Sequence, residues 1–166
     1  SMIAQAQYGI LLGAHQQNII IDLKDGLPAG LYFRDCQGTG YSELGVKLYR
    51  NSVPGFAESV GNLLDETVGN HLFTYYVVIN STFGTIAALA DSGGVDERDL
   101  LKLLREKLIA LRSSEPRDVS CLNYLIDSPV LMQKGNFLCS ISGMNENTTS
   151  NPHSIYNAME NPIRAK

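Results

Sequence analysis

The sequence predicts an α+β fold, mainly α, in which a β-hairpin near the N-terminus packs on a helical subdomain. Three observations carry that reading. An Ile-rich run, Asn18 to Leu23, meets a turn at Lys24-Asp25-Gly26 and returns as Ala29 to Phe33. Such side chains favour extended backbone, and Gly26 can take the positive φ that a tight hairpin turn requires. Leu100, Leu103, Leu104, Leu108 and Leu111 recur at helical spacing, which marks a helix over Glu97 to Arg112. The composition, 44% hydrophobic and 18% charged over 166 residues, is that of a folded domain able to bury a core.

Taken in order, Ile3 to Leu12 reads as a helix running into a turn at His15. The hairpin follows, and then a flexible Gly38-Thr39-Gly40 loop directly after Asp35. Everything later reads as helical. Phe56, Val60, Leu63 and Leu64 form a helical stripe over Pro54 to Leu64. Val68 to Ala90 is a long, weakly polar helix expected to be buried on most sides. Ser92-Gly93-Gly94 ends it, and Asp96 caps the Glu97 to Arg112 helix, whose charges form a solvated face. A short helix at Val119 to Ile126, a segment from Val130 to Ile141, a polar loop at Gly143 to Pro152 and a last turn at Ile155 to Met159 complete the chain. Without internal repeat or linker, residues 1–166 are expected to form one domain: 1–41 the hairpin and its flanks, 42–166 the helical subdomain.

The net charge of -4 argues against a general affinity for nucleic acid, which needs clustered Lys and Arg. No apolar run is expected to span a bilayer, which takes about 20 residues; Leu72 to Ala90 is interrupted by Asn80, Ser81, Thr82 and Gly84. No secretion signal is read at the N-terminus. Cys36, Cys121 and Cys139 form no CxxC pair and fall short of the four thiolates an iron–sulfur cluster usually takes. Reduced thiols in a cytoplasmic protein are the expectation. Ser1-Met2 reads as a tag scar, and the apolar start reads as a fragment cut from a longer protein.

The chemistry concentrates in GAHQQNIIIDLKDGLPAGLYFRDCQG, residues 13–38. The hairpin would carry Asn18 and Asp35 to neighbouring strand ends. An amide oxygen beside a carboxylate is a half-shell for magnesium that substrate phosphates complete. Protein kinases use a catalytic-loop Asn and a later Asp in that way. A kinase-like phosphotransferase lacks its base here, because Gln16 and Gln17 occupy the stretch ahead of Asn18. A lone histidine is more often structural than catalytic, but Gln17 and Asn18 beside His15 are carboxamides entering an apolar strand, where burial demands hydrogen bonds. Asn18 alone also fits a turn cap, and Asp35 alone fits a salt bridge or loop cap. Lys24, Asp25 and Lys134 read as exposed, His71 as a packed or surface residue, His153 as a loop residue, and Tyr75-Tyr76 as packing side chains.

At these residues the chain resembles the siderophore synthetases that work without a peptide synthetase, the aerobactin-synthetase-like (IucA/IucC) family, in its C-terminal FhuF-like region. That family's pattern is E-x-H-x-Q-N, two strands, then R-D and a glycine-containing loop. The resemblance implies the C-terminal part of a kinase-like palm and an ATP- and Mg2+-dependent ligase. It would condense a citrate-like polycarboxylate with an amine or alcohol through an acyl-adenylate. Carried over by motif, His15 would contact the reacting carboxylate or phosphate, Gln17 would help bind nucleotide, and Asn18 and Asp35 would hold magnesium. Arg34 belongs to the motif without an assigned contact. Gly13 stands where the family has an acidic residue. The resemblance also implies the remaining N-terminal part of the protein as partner, with the family's other ATP and carboxylate contacts, so that this fragment alone is expected to be inactive and to bind Mg-ATP weakly. A ferric-siderophore binding or transport-associated module without ligase activity is the alternative, and the oligomeric state stays open, a homodimer among the options.

Overall fold

A computed structural model describes residues 1–56, 62–135, 139, 141 and 155–164. The expected loop at Gly143 to Pro152, His153 and Val60 lie outside the described residues. The fold is α+β, as expected, with helices dominant and three small antiparallel sheets of two strands each among the described residues.

Helix α1 covers Met2–Tyr8, shorter than the sequence suggests, because Gly9 adopts a left-handed conformation with φ 66° and closes it on Gln5 O. The next two residues are not helix but strand β1, Ile10–Leu11, paired with β4, Gly40–Tyr41. Between these lie β2, Ile19–Lys24, and β3, Leu27–Phe33, joined at Asp25 and Gly26 with φ of 53° and 78°. Two consecutive positive φ values suit the hairpin turn that follows strand twist. Ile19 pairs with Phe33, and a bulge lies between Asp22 and Leu23.

Two antiparallel pairings therefore run in series. Leu11 opposes Gly40 and Ile19 opposes Phe33, so residues 12–18 and 34–39 bow out between them and face each other. This loop pair is where the chemistry-bearing motif falls. Beyond it the hairpin projects. Ile19 and Phe33 are half-buried at its base, but Leu23, Leu27 and Tyr32 are 60%, 70% and 63% exposed. The expected packing of the whole hairpin on the helices is thus corrected: only its base reaches the core.

Helix α2 spans Glu43–Tyr49. The helix expected over Pro54 to Leu64 is not formed by its described residues. Asn62–Leu64 instead run beside β4, with Tyr41 N donating to Asn62 O at 2.7 Å and Leu64 N to Tyr41 O at 3.0 Å. The long helix is present over Glu66–Asp91, as α3 (Glu66–Phe73), a π-helical stretch (Thr74–Phe83) and α4 (Gly84–Asp91). Its 26 residues are long and apolar enough to cross a membrane by length and composition alone, despite the interruption at Asn80 to Gly84. In this fold its Phe73, Val77 and Val78 join the core instead.

Helix α5, Glu97–Ser113, starts at the expected cap, with Arg98 N donating to Asp96 Oδ1 at 2.7 Å. Leu104, Leu108 and Leu111 face the core together with Ile109, whereas Leu103 is 48% exposed. Helix α6, Ser120–Asp127, supplies Cys121, Leu122, Leu125 and Ile126, all fully buried. Burying each large aliphatic contributes roughly 1.5–3 kcal/mol, which makes α6 the anchor of the helical body. The expected turn at Ile155 to Met159 is instead strand β6, Tyr156–Glu160, paired along its length with β5, Val130–Lys134. Strand pairing satisfies backbone groups that a single helical turn would leave open.

Cys121 sits in the centre of this core. Burial pushes its thiol up to about 12, the charge of Asp118 adds to the rise, and a hydrogen bond with Thr74 opposes it. The thiolate is the reactive form. A maleimide at pH 8 is expected to label exposed Cys36 quickly and to leave Cys121 untouched until denaturant is added. Labelling of native Cys121 at a rate near that of Cys36 would contradict the packing described.

Candidate functional site

His15, Gln16, Gln17 and Asn18 enter the site through a short turn that the preceding residue secures. Ala14 is fully buried, and its carbonyl accepts a hydrogen bond from Ser81 Oγ at 2.8 Å. Gln16 N donates to Asn80 Oδ1 at 3.1 Å. The His15 ring lies 5.6 Å from that of Tyr76, and the Gln16 side chain lies over Gly84, where any Cβ would collide with it. Four residues of the long helix thus grip one turn of the chain.

The π-helical stretch carries three of those four, and Gly84 is the first residue of α4 after it. A π turn bonds residues five apart, and such stretches occur often at functional sites. Ser81 Oγ also donates to Tyr76 O at 3.0 Å and Thr82 Oγ1 to Val77 O at 2.7 Å, both across five residues. Asn80 and Ser81, which in sequence only interrupt an apolar run, turn toward the site, while Thr82 bonds back within the helix. Ser81 is buried, and its single hydroxyl proton is shared between the Ala14 and Tyr76 carbonyls.

Asn18 is 7% exposed. Its Nδ2 lies 3.2 Å from His15 Nε2. An amide nitrogen only donates, so Nε2 accepts, and the proton of the neutral ring sits on Nδ1. The same contact leaves Oδ1 as the acceptor arm of Asn18. Across the loop pair, Arg34 N donates to Asn18 O at 3.0 Å, and Arg34 Nε donates to Gln17 O at 3.2 Å. Arg34 is therefore a brace that holds the two chain segments together. Asp35, the next residue, is exposed and adopts φ 63°, a left-handed conformation that aspartate tolerates better than most residues. The sequence-predicted group of His15, Gln17, Asn18 and Asp35 is thus gathered on the two facing segments, with Gln17 exposed and Asn18 buried.

Gly13 has a local reason for being glycine. Its backbone packs on the turn Cys36–Gly38, and a Cβ would come within 2.7 Å of Gly38 O. The post-Asp35 turn occupies the space that a side chain at position 13 would need.

Sequence reasoning missed one cluster. Lys134, read as exposed, is half-buried at the end of β5. Its Nζ donates to Tyr76 Oη at 2.6 Å and lies 5.5, 4.7 and 5.9 Å from the rings of Tyr75, Tyr76 and Tyr156. Cation–π attraction of this kind holds an ammonium in place. Tyr76 joins this cage to His15. The strand pairing that brings Tyr156 to Lys134 spans more than 20 residues, and no local signal announces it.

A family profile described as ferric iron reductase FhuF-like transporter matches residues 1–149. The chain belongs to the FhuF-like family. It is 41% identical over 159 residues to an N(2)-citryl-N(6)-acetyl-N(6)-hydroxylysine synthase of Vibrio mimicus, covering 96% of this chain and 27% of that protein. A protein of the same name from Escherichia coli is 36% identical, with 98% and 28% covered. Among solved structures, ATP-bound aerobactin synthetase IucA from Klebsiella pneumoniae superposes with a TM-score of 0.85 at 33% identity, covering 99% of this chain and 28% of that one. The chain therefore spans little more than a quarter of the length of the curated relatives it matches.

This FhuF-like chain offers a direct test of the helix grip. Ser81→Ala leaves the buried Ala14 carbonyl without its donor, a loss of about 1–3 kcal/mol. Hydrogen exchange at His15, Gln16 and Asn18 is expected to accelerate in Ser81→Ala. Thr82→Ala, which removes only a bond within the helix, is expected to leave those amides unchanged. Equal effects of the two substitutions would show that the grip does not hold the turn.

Proposed function

We propose that this chain is the C-terminal palm region of an ATP-dependent siderophore synthetase of the cytoplasm. The full protein condenses a citrate-like polycarboxylate with an amine or alcohol. A carboxylate oxygen attacks the α-phosphorus of ATP and pyrophosphate leaves. The nucleophile then attacks the acyl carbon, loses its proton and releases AMP. The observation that carries this reading is the loop pair itself: His15 and Asn18 in contact, with Arg34 tying their turn to the segment that presents Asp35. The similarity to synthases named for a citryl product and to an ATP-bound synthetase supports it.

In this reading residues 1–41 carry the catalytic group and residues 42–166 support it as one domain. His15 uses Nδ1–H to donate a hydrogen bond to negative charge that develops on the reacting carboxylate or phosphate, a stabilisation worth most where the donor is held in advance. Gln17, exposed on the turn, binds nucleotide. Arg34 braces.

Asn18 and Asp35 suit magnesium by chemistry: one amide oxygen and one carboxylate, both hard oxygen donors. No group of three or more His, Cys, Asp or Glu gathers for a metal among the described residues. A two-ligand site is what Mg2+ takes when substrate phosphates and water complete its shell. The bound ion would neutralise phosphate charge and orient the nucleotide.

The exposed apolar faces of the β2–β3 hairpin, with Leu23, Leu27 and Tyr32 largely in solvent, fit a surface covered by the rest of a longer synthetase. This chain alone is then expected to show no turnover and to bind Mg-ATP weakly. The family description also admits a ferric-siderophore binding or transport-associated module. A cluster-based reductase draws no support from the thiols, since Cys121 is fully buried in the core.

The full-length gene product, supplied with Mg-ATP, citrate and hydroxylamine, is expected to form citrate-dependent hydroxamate. Folded Asp35→Ala is expected to lose the activity by about 100-fold or more, the scale for removing a group that stabilises developing charge. Absence of product from citrate and related polycarboxylates in a well-folded protein would instead favour the binding module.

A further inference from the structure

A groove of about 600 Å³ runs between the first half of α5 and the residues at and beyond the end of β6, and it shares no lining residue with the His15 group. One wall is pinned from beneath. Asn161 is buried, its Nδ2 donates to Leu125 O and Ser128 O, both at 2.8 Å, and its Oδ1 accepts from Ile163 N at 3.0 Å. These bonds hold the turn that carries Pro162 and Ile163. Together with Leu101 of α5, those two residues give the groove an apolar lining.

The charge of the groove is one-sided. Arg98, Lys102, Arg105 and Arg164 line it against a single carboxylate, Glu160. The three from α5 stand on one helix face, spaced by four and then three residues. None of the four cations has a carboxylate oxygen within ion-pair distance among the described residues. Arg105 is half-buried, whereas the other three are exposed. Its Nη1 donates to Ile126 O at 2.9 Å and to Ile163 O at 3.2 Å. A purely structural role ends there, because Nη1 carries only two of the five guanidinium donors. The three on Nε and Nη2 have no acceptor among the described residues. The two carbonyl bonds fix the guanidinium plane, so Nε and Nη2 form a preset edge that matches a bidentate oxyanion. Arginine cannot shed its proton when burial disfavours the charge, and an anion at this edge supplies the countercharge that the chain does not.

We propose that this groove binds a small organic anion, a carboxylate or phosphate carried on an aliphatic body. The oxyanion accepts from Arg105 Nε and Nη2, and Arg98, Lys102 and Arg164 add positive charge from the rim. The body lies on Leu101, Pro162 and Ile163, which separates this site from one for inorganic ions. The volume lies within the range of small-molecule pockets, and an apolar lining with a few fixed polar groups is their usual make-up. This assignment is independent of the ligase reading, because it rests on other residues.

The test is an NMR titration of the chain with hexanoate and with hexyl phosphate. Hexanol, which lacks the charge, and inorganic phosphate, which lacks the body, are the controls. Saturable shifts at the Arg105 Nε–H and at the Leu101 and Ile163 amides are expected with at least one hexyl anion. That anion is expected to bind about tenfold more tightly than either control, and the tighter of the two anions identifies the headgroup. Arg105→Lys keeps the charge and loses the fork, so it is expected to weaken binding by about tenfold. Arg98→Gln, at an exposed position that does not threaten the fold, is expected to weaken it by about threefold. Shifts matched by hexanol, inorganic phosphate binding as tightly as both hexyl anions, no saturable shift, or a titration unchanged by Arg98→Gln would overturn the proposal. Repeating the titration on the full-length gene product completes the test: retained binding supports a site for a free organic anion, and lost binding overturns it.

Discussion

The grip of the long helix on the His15 turn is the contact on which the candidate site depends. A loop that carries a histidine and three carboxamides has no intrinsic reason to hold one shape. Here Ala14 is buried as an anchor, its carbonyl is bonded by Ser81, the next backbone N–H but one is bonded by Asn80, and Gly84 leaves room for Gln16. The grip works because the helix is π-wound at that point, so that Tyr76 and Ser81, five apart, serve the same turn. Hydroxyl groups inside an apolar helix look like a weakness in the sequence. In the folded chain one of them, Ser81, holds the His15 turn.

Topology does the rest. The β1–β4 and β2–β3 pairings hold both ends of two short segments, and the segments bow toward each other between them. Each segment is therefore restrained at two points instead of one, which lowers the entropy lost when ligand orders it. Arg34 adds a cross-brace, and Gly13 lets the turn after Asp35 pack close. Rigidity comes from these flanks, while the outer hairpin remains free of the core.

What was legible in the sequence was local. The hairpin turn at Asp25-Gly26, the Asp96 cap and the leucine stripe of α5 each write their structure into a few adjacent residues. The order His15, Gln17, Asn18, Asp35 was legible as a motif because one hairpin joins its parts. The short strands β1 and β4 were not, since two residues carry no periodicity. Nor was β6: Tyr156 to Glu160 has no β-branched residue, and only its distant partner β5 makes it a strand. The Lys134 cage failed for the same reason, because Tyr75, Tyr76 and Tyr156 meet only after the strands pair. Leu103 shows the limit of a periodic pattern, which finds a helix but not the edge of its buried face.

The central claim is that His15, Asn18 and Asp35 act as one group around a nucleotide-bound divalent ion. Mn2+ with ATP, added to the isotope-labelled chain at millimolar concentration, probes this through paramagnetic broadening and detects even weak binding. The account predicts that the Asn18 side-chain amide, the His15 ring and the Asp35 backbone broaden together, and that Asp35→Ala abolishes the effect. Broadening confined to other carboxylates, or none at these three residues, would contradict it.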